Sequence, residues 1–436
     1  MPLGVVAIIG SPNVGKSTVF NRILGTRKAI INDQPGMTRD RLYATASWLT
    51  RKFRIIDTGG IEVANRPFQE QIRAQAQIAI EEADVIVYVV DGQVGVSNDD
   101  REVAKILYKS NKPIILAVNK IDDITKIADI YEFNSLGLGD PVAISGAHGI
   151  GIGDLLDRII KLLPNEEETK YGESEIVFSI IGRPNVGKSS LVNALLKQNR
   201  VIVSDIEGTT RDAIDTVFIR DDKQYVVIDT AGLKKRGRIY EAVDKYAALR
   251  ALSAIERSEI VLLVIDAEQG ITEQDKHVVG YAMDLNKAVV IVVNKWDLIP
   301  RSQTAMQDFT KKVRKEFKFL DYAPVVFVSA KDHNRIETVF EVLNNTYEAY
   351  GRRIQTSTLN EVIQDAEVMN PAPLFEGGRL KIYFANQVDV RPPTFVLFVN
   401  RPKYAHFSYL RYIENRLRET FPFDGTPIKI ILRERK

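Results

Sequence analysis

The stretch GSPNVGKST, Gly10–Thr18, returns as GRPNVGKSS, Gly182–Ser190, 172 positions later. This recurrence constrains the chain more than any other feature, because it does not stand alone. PGMTRD ends at Asp40 and EGTTRD at Asp212, and DTGG begins at Asp57 and DTAG at Asp229, with the offset of 172 kept in both pairs. VVDGQVG from Val89 and VIDAEQG from Val264 stand 175 apart, as do NKID from Asn119 and NKWD from Asn294. Five landmarks in one order at a nearly constant offset mean two copies of one domain. A three-residue insertion falls between Gly232 and Asp266, and the basic LKKRGR, Leu233–Arg238, is where we expect it.

Within each copy, short β-branched runs alternate with longer helix-like stretches. That pattern predicts a doubly wound, mostly parallel α/β sheet with helices on both faces. Runs such as IVLLVI (Ile260–Ile265) and AVVIVV (Ala288–Val293) suit strands buried on both sides and are far too short to span a bilayer. We expect one copy over 1–165, an acidic, breaker-containing linker over 166–175, and the second copy over 176–351. Beyond that the repeat ends, and 352–436 reads as a small α+β domain of order α-β-β-α-β. Its first helix is expected over Ser357–Met369, with Ser357 as cap and Leu359, Ile363 and Ala366 on one side. Strands follow over Arg379–Gln387 and Thr394–Asn400, then a helix over Tyr409–Phe421 with Leu410, Ile413 and Leu417 on one stripe, then a strand over Pro427–Arg435.

The chain has no cysteine, which removes disulfides, thiolate metal sites and thiol catalysis together. Its start, MPLGVVAIIGSPN, reads as a first strand rather than a signal peptide. A cytoplasmic home without a membrane anchor is the expectation. The net charge is only +2, yet Arg352 to Lys436 holds 14 Lys+Arg against 9 Asp+Glu, a basic excess that hints at an anionic partner. The four histidines, His148, His277, His333 and His406, show no ligand spacing and receive no role.

Each copy carries a complete set of phosphate and base signals. The loops Gly10, Ser11, Pro12, Asn13, Val14, Gly15 and Gly182, Arg183, Pro184, Asn185, Val186, Gly187 each follow an apolar strand and precede a helix, the context that makes this motif a phosphate cradle. A glycine-rich turn beside a lysine would not bring that context twice. The glycines are expected because side chains would block a phosphate. Lys16 and Lys188 neutralise the outer phosphates, the hydroxyls of Ser17 and Ser189 suit magnesium, and Thr18 and Ser190 complete the motifs. Asp57 and Asp229 end strands and hold magnesium through water. Thr58, Gly59 and Gly60, with Thr230, Ala231 and Gly232, open segments whose backbone can sense a terminal phosphate. Thr38 and Thr210 lie between these motifs and fit the magnesium shell. A helix cap is the competing reading for them, and their position favours the switch.

Asn119, Lys120 and Asp122, and Asn294, Lys295 and Asp297, select the base. A carboxylate accepts from the N1–H and the exocyclic amine of guanine, a donor pair that adenine lacks. The asparagines brace the loop and the lysines can lie along the ring. Ser145, Gly146 and Ala147, and Ser329, Ala330 and Lys331, follow strands and can offer a backbone contact to the guanine oxygen.

With these residues in view, the chain resembles the EngA (Der) family of bacterial ribosome-assembly GTPases, and the resemblance covers all three domains. It implies two P-loop GTPase domains that bind GTP or GDP with magnesium, followed by a KH-like domain. It also implies hydrolysis of GTP to GDP and phosphate at two sites, with the large ribosomal subunit and its ribosomal RNA as partners of a protein monomeric off the ribosome. Where many small GTPases have a water-orienting glutamine, this chain has Ile61 and Leu233. It is therefore similar to GTPases with a hydrophobic residue there, several of which use potassium bound partly by a phosphate-loop asparagine. By position those asparagines are Asn13 and Asn185, and a simple loop-bracing role is the competing reading. The KH-like domain has no G-x-x-G, the loop with which ordinary KH domains clamp single strands. Arg391, Arg401, Lys403 and Arg411 are candidates for phosphate contact or for ordinary solvated charge. A GTP-gated RNA- or ribosome-binding module with little turnover in at least one copy is the alternative function. An RNA-modifying GTPase is disfavoured by the missing cysteine motif and the missing leading domain.

Overall fold

A computed structural model describes residues 4–25, 43–49, 51–58, 76–77, 79–81, 83–164, 174–197, 200–201, 215–228, 244–300 and 302–435. In the first domain the apolar runs form β1 (Gly4–Ile9), β2 (Tyr43–Trp48), β3 (Arg51–Asp57), β4 (Val85–Asp91), β5 (Ile114–Asn119) and β6 (Val142–Ala143), ordered β2-β3-β1-β4-β5-β6. β3, β1, β4, β5 and β6 run parallel and β2 is the antiparallel edge. Successive residues feed opposite faces. Ile8, Phe53, Ile55, Val87 and Val89 pack into one layer, and Ala7, Ile9, Ile86, Tyr88 and Val90 into the other. Burying both faces, at roughly 1.5–3 kcal/mol per large apolar side chain, is why these strands read as unbroken apolar runs rather than alternating ones. Helices α1 (Lys16–Gly25), α2 (Asn98–Tyr108) and α3 (Ile152–Leu162) flank the sheet.

The second domain repeats the plan. β7 (Ile176–Ile181), β8 (Arg200–Val201), β9 (Thr216–Arg220), β10 (Lys223–Ile228), β11 (Ile260–Asp266), β12 (Ala288–Asn294) and β13 (Val325–Phe327) are ordered β13-β12-β11-β7-β10-β9-β8. The short β8 is an extra antiparallel edge that periodicity did not indicate. Every residue of β7, β11 and β12 is buried. Helices α4 (Lys188–Lys197), α5 (Asp244–Arg257), α6 (Glu273–Asp284), α7 (Ala305–Glu316) and α8 (Ile336–Tyr350) accompany them. Ala83 and Ser258, which follow the helices before β4 and β11, are already 175 apart, so the insertion lies N-terminal to them. LKKRGR itself lies outside the described residues.

The C-terminal domain has α9 (Thr356–Met369), a small hairpin of β14 (Leu374–Phe375) and β15 (Gly378–Arg379), then β16 (Ile382–Asp389), β17 (Thr394–Val399), α10 (Phe407–Thr420) and β18 (Lys429–Glu434). β17 is central, antiparallel to β16 and parallel to β18. The expected order α-β-β-α-β is present, with corrections of detail. Ser357 does not cap α9, since the helix starts one residue earlier and Gln355 stands at the cap without a side-chain bond. Tyr409, not Leu410, joins Ile413 and Leu417 in the core. His406 has a role after all, because its ring Nδ1 accepts from the Ser408 N–H and caps α10.

Arg391 is no solvated charge either. Its guanidinium pairs with Glu259 in the second nucleotide-type domain, and its N–H donates to Tyr350 O over 3.1 Å. The Val289 N–H donates to Gly425 O over 2.8 Å, and the Gly425 N–H to Tyr322 O over 2.8 Å. Glu259, Tyr322 and Val289 all lie at the N-terminal ends of the strands. The C-terminal domain therefore grips the sheet edge opposite the strand C-termini, and the two form one compact unit.

Candidate nucleotide sites

In each sheet the central strand sends its connections to opposite sides, β3 on one flank of β1 and β4 on the other. The crevice beyond the strand C-termini at such a point is where α/β sheets take ligands. There β1 ends at Ile9, β3 at Asp57, β4 at Asp91 and β5 at Asn119, with β7, β11 and β12 ending at Ile181, Asp266 and Asn294 in the second copy.

The phosphate loops have nearly the same geometry. Gly10 and Gly182 adopt φ of 156° and 143°, Asn13 and Asn185 65° and 66°, and Gly15 and Gly187 92° and 94°. Lys16 Nζ donates to Gly10 O and Ser11 O, both at 2.9 Å, and Lys188 Nζ to Gly182 O at 2.8 Å and Arg183 O at 2.7 Å. Each ammonium is thus folded back over its loop. Burial lowers both lysines, Lys188 to about 8, because a charge out of water is costly until an anion faces it. Val14 and Val186 are buried beneath the loops, whereas Pro12, Asn13, Pro184 and Asn185 are exposed at their crowns.

The glycines carry a correction. A Cβ on Gly15 would stand 2.4 Å from Asn119 Nδ2, and one on Gly187 would stand 2.2 Å from Asn294 Nδ2. Space for the base-loop asparagine, not only for phosphate, excludes a side chain here. Those asparagines are the braces expected of them. Asn119 Nδ2 donates to Val14 O over 2.7 Å, and its Oδ1 accepts from the Gly146 N–H over 2.9 Å. Asn294 does the same toward Val186 O, at 2.9 Å, and the Ala330 N–H, at 3.0 Å. One buried amide ties three loops together in each copy.

Lys120 and Lys295 sit at φ of 67° and 61°, and their ammonium groups bind Asp91 and Asp266 at 2.5 and 2.6 Å. The aspartates are a positioning pair that was not singled out, although VVDGQVG and VIDAEQG marked them as repeat landmarks. Burial alone would raise the Asp266 carboxyl, but Lys295 and the N–H groups of Gln269 and Glu268 outweigh it and hold it low. Asp122 and Asp297 are exposed at the rim, as are Ala147 and Lys331. Ser145 Oγ donates to Asp122 at 2.6 Å, whereas Ser329 Oγ donates to Asp332 at 3.2 Å instead. His148 Nε2 lies 4.0 Å from Asp122, beside the base site. Arg22 of α1 is a further unforeseen support. It donates to Gly146 O over 2.9 Å and to Ala147 O, and no local pattern announces it.

For magnesium, Ser17 Oγ donates to Asp57 Oδ2 over 2.8 Å, so a hydroxyl and a carboxylate converge beside the loop. Hard oxygens of this kind suit magnesium. Thr58 Oγ1 donates to Ile8 O over 2.8 Å and pins the end of β3 to β1. Ser189 is half-buried and Ser190 and Thr18 exposed on the first turns of their helices. Thr38, Gly59, Gly60, Ile61, Thr210, Asp229, Thr230, Ala231, Gly232 and Leu233 lie outside the described residues.

Comparison with known proteins agrees with this duplication. A family described as 50S ribosome-binding GTPase matches residues 5–120 and again 177–295. One described as KH-domain-like of EngA bacterial GTPase enzymes, C-terminal, matches 353–433. The GTPase Der of Listeria innocua serovar 6a is 57% identical over 432 residues, covering 99% of both chains. That of Bacillus cereus is 58% identical over 435 residues, covering 100% of both. Among solved structures, Era of Aquifex aeolicus bound to GDP.AlF4- aligns over 60% of this chain and 93% of its own, at 23% identity and TM-score 0.31. Matched from end to end, with the GTPase family found twice and the C-terminal family once, the chain belongs to the EngA/Der family and is a GTP hydrolase.

Proposed function

We propose that both sites bind and hydrolyse GTP and that their nucleotide state switches the protein on and off the large ribosomal subunit during its assembly. The carrying observation is that both repeats share the lysine fold-back and the asparagine brace, and that both match a family described as ribosome-binding. We assign the two GTPase domains to 1–165 and 176–351, the linker to 166–175 and the KH-like domain to 352–436. The chain is expected to act in the cytoplasm, as a monomer when off the ribosome. Among the described residues no helix is long and apolar enough to cross a membrane.

In this reading Lys16 and Lys188 turn from their loop carbonyls to the outer phosphates, and the inward N–H groups of Gly10–Thr18 and Gly182–Ser190 wrap them. Ser17, Thr38 and Asp57, and Ser189, Thr210 and Asp229, hold magnesium, which supplies charge to the transferring phosphoryl group. Gly60 and Gly232 sense the terminal phosphate. Asp122 and Asp297 read guanine, and the Ser145–Ala147 and Ser329–Lys331 loops meet its oxygen. Asn13 and Asn185, exposed amides on left-handed residues, offer oxygens to potassium near the phosphates. Turnover equal in sodium and potassium would refute that last role.

The test of the switch is co-sedimentation with ribosomal subunits under GDP, GTP and a non-hydrolysable analogue at fixed salt, because phosphate contacts are salt-dependent. Selective pelleting with the large subunit in a triphosphate state is expected. Association that ignores the nucleotide would overturn it.

A further inference from the structure

The two phosphate loops are anchored differently. In the first copy the Asp100 carboxylate is 4% exposed. Its Oδ2 closes the capping box of α2, accepting from Ser97 N at 3.0 Å and Ser97 Oγ at 2.6 Å. Its Oδ1 accepts from the Tyr88 hydroxyl at 3.0 Å and faces the Ser11 hydroxyl at 3.5 Å. Asp275 repeats the capping box on α6 with Thr272 and is fully buried. Yet Leu263 stands where the first copy has Tyr88, and Asp275 Oδ1 finds no hydrogen-bond partner among the described residues. Arg183 stands where the first copy has Ser11. Its Nε is 3.4 Å from Asp275 Oδ2, its Nη2 donates to Gly270 O over 3.0 Å, and its side chain is 12% exposed. Two neutral donors in one copy are replaced by one cation in the other. A buried carboxylate needs one or the other.

We propose that Arg183 is a positioning residue of the second site alone. Its ion pair with Asp275 and its hydrogen bond to Gly270 O fix the loop residue whose own carbonyl orients Lys188 at 2.7 Å. The second loop is thereby held by an ion pair and the first by the Ser11 hydroxyl, so the two sites hold nucleotide with different grip. This rests on the reading of Lys188 as a phosphate ligand.

The test uses the full chain with Trp48→Phe, which leaves Trp296, adjoining Asp297, as the one remaining tryptophan of two. Energy transfer from Trp296 to a fluorescent GDP then follows release at the second site. Arg183→Ser is expected to speed release at this site about tenfold. Adding Leu263→Tyr, which recreates the arrangement of the first copy, should restore slow release. So should adding Asp275→Asn, which removes the charge that needs a partner. Release unchanged by Arg183→Ser, or not recovered by either second substitution, overturns the proposal. Should Leu263→Tyr fail to fold, Asp275→Asn alone decides. GDP binding undiminished in Lys188→Ala would instead refute the phosphate role of Lys188, a separate and recognisable failure.

Discussion

The Arg391 guanidinium lies 3.2 Å from the Glu259 carboxylate and 4.2 Å from the centre of the Tyr347 ring. The corresponding acid of the first copy, Asp84, closes on its own domain and accepts from the Val5 N–H at 2.8 Å. One more methylene in the second copy lets Glu259 reach the C-terminal domain. Burial raises the Glu259 carboxyl above its ordinary range, with Arg391 and Lys287 opposing that shift. Above the folded pKa the acid is therefore charged and half out of water, and depends on Arg391.

Arg391→Ala should then loosen the C-terminal domain by about 2 kcal/mol near neutral pH. The loss should shrink as the pH falls through the folded pKa of Glu259 toward its ordinary range, because a neutral carboxyl needs no cation. Hydrogen exchange at the Val289 and Gly425 N–H groups, which bridge the two domains, reads this locally. Exchange unaltered at neutral pH would contradict it.

The asparagine brace predicts a non-additive pair. Asn294→Ala removes two buried hydrogen bonds, and each is worth about 1 kcal/mol, so nucleotide affinity at the second site should fall roughly 30-fold. Gly187→Ala should also be harmful, from its positive φ and from the clash with Asn294 Nδ2. The clash part vanishes once Asn294 is alanine. A double-mutant cycle on nucleotide affinity should show positive coupling, and strict additivity would exclude this account of the glycine. Asn119 and Gly15 should behave alike.

Asp122→Asn and Asp297→Asn should each trade guanine for xanthine at one site, since an amide N–H can meet a carbonyl where the amine stood. Loss of GTP affinity on the order of 10⁴-fold is expected, because a hydrogen-bonding site left unpaired discriminates strongly. Titration with both nucleotides would then address the sites separately. Retention of guanine preference in either variant would remove that aspartate from the base site.

How much of this was legible beforehand follows from what each interaction imprints on a chain. The sheets were readable because parallel strands buried on both faces, such as β11, leave unbroken apolar runs. The two phosphate loops were readable as copies because the repeat aligned them, and their geometry recurs. Glu259–Arg391, Arg22 and the Asp275–Arg183 pair were not, since single contacts between distant residues leave no period. The capping boxes were nearer to hand. Ser97–Asp100 and Thr272–Asp275 have the right spacing, but carry aspartate where the usual signature has a longer acid. Ser357 misled because serine favours caps in general, while the chain entered α9 one residue sooner.

Lys287 supplies the pH prediction with the clearest sign. Its ammonium donates to Glu256 O at 2.8 Å and Ser258 O at 2.6 Å, where α5 ends, and Lys112 does the equivalent in the first copy toward Ala83 O at 2.9 Å. Burial lowers Lys287 from 10.5 to about 8, with Glu259 opposing. Between those values the unfolded chain binds more protons at this residue than the folded one, so its contribution to stability is present above the unfolded pKa and is lost as pH falls through about 8. Against Lys287→Met, the wild type should gain up to about 3 kcal/mol across the window from about 8 to 10.5, at 1.36 kcal/mol for each pH step of one. Urea unfolding of both proteins at several pH values between these limits measures it. A difference that stays flat, or that narrows in favour of methionine as pH rises, would mean that the lysine keeps its proton in the fold and that its two carbonyl partners outweigh burial.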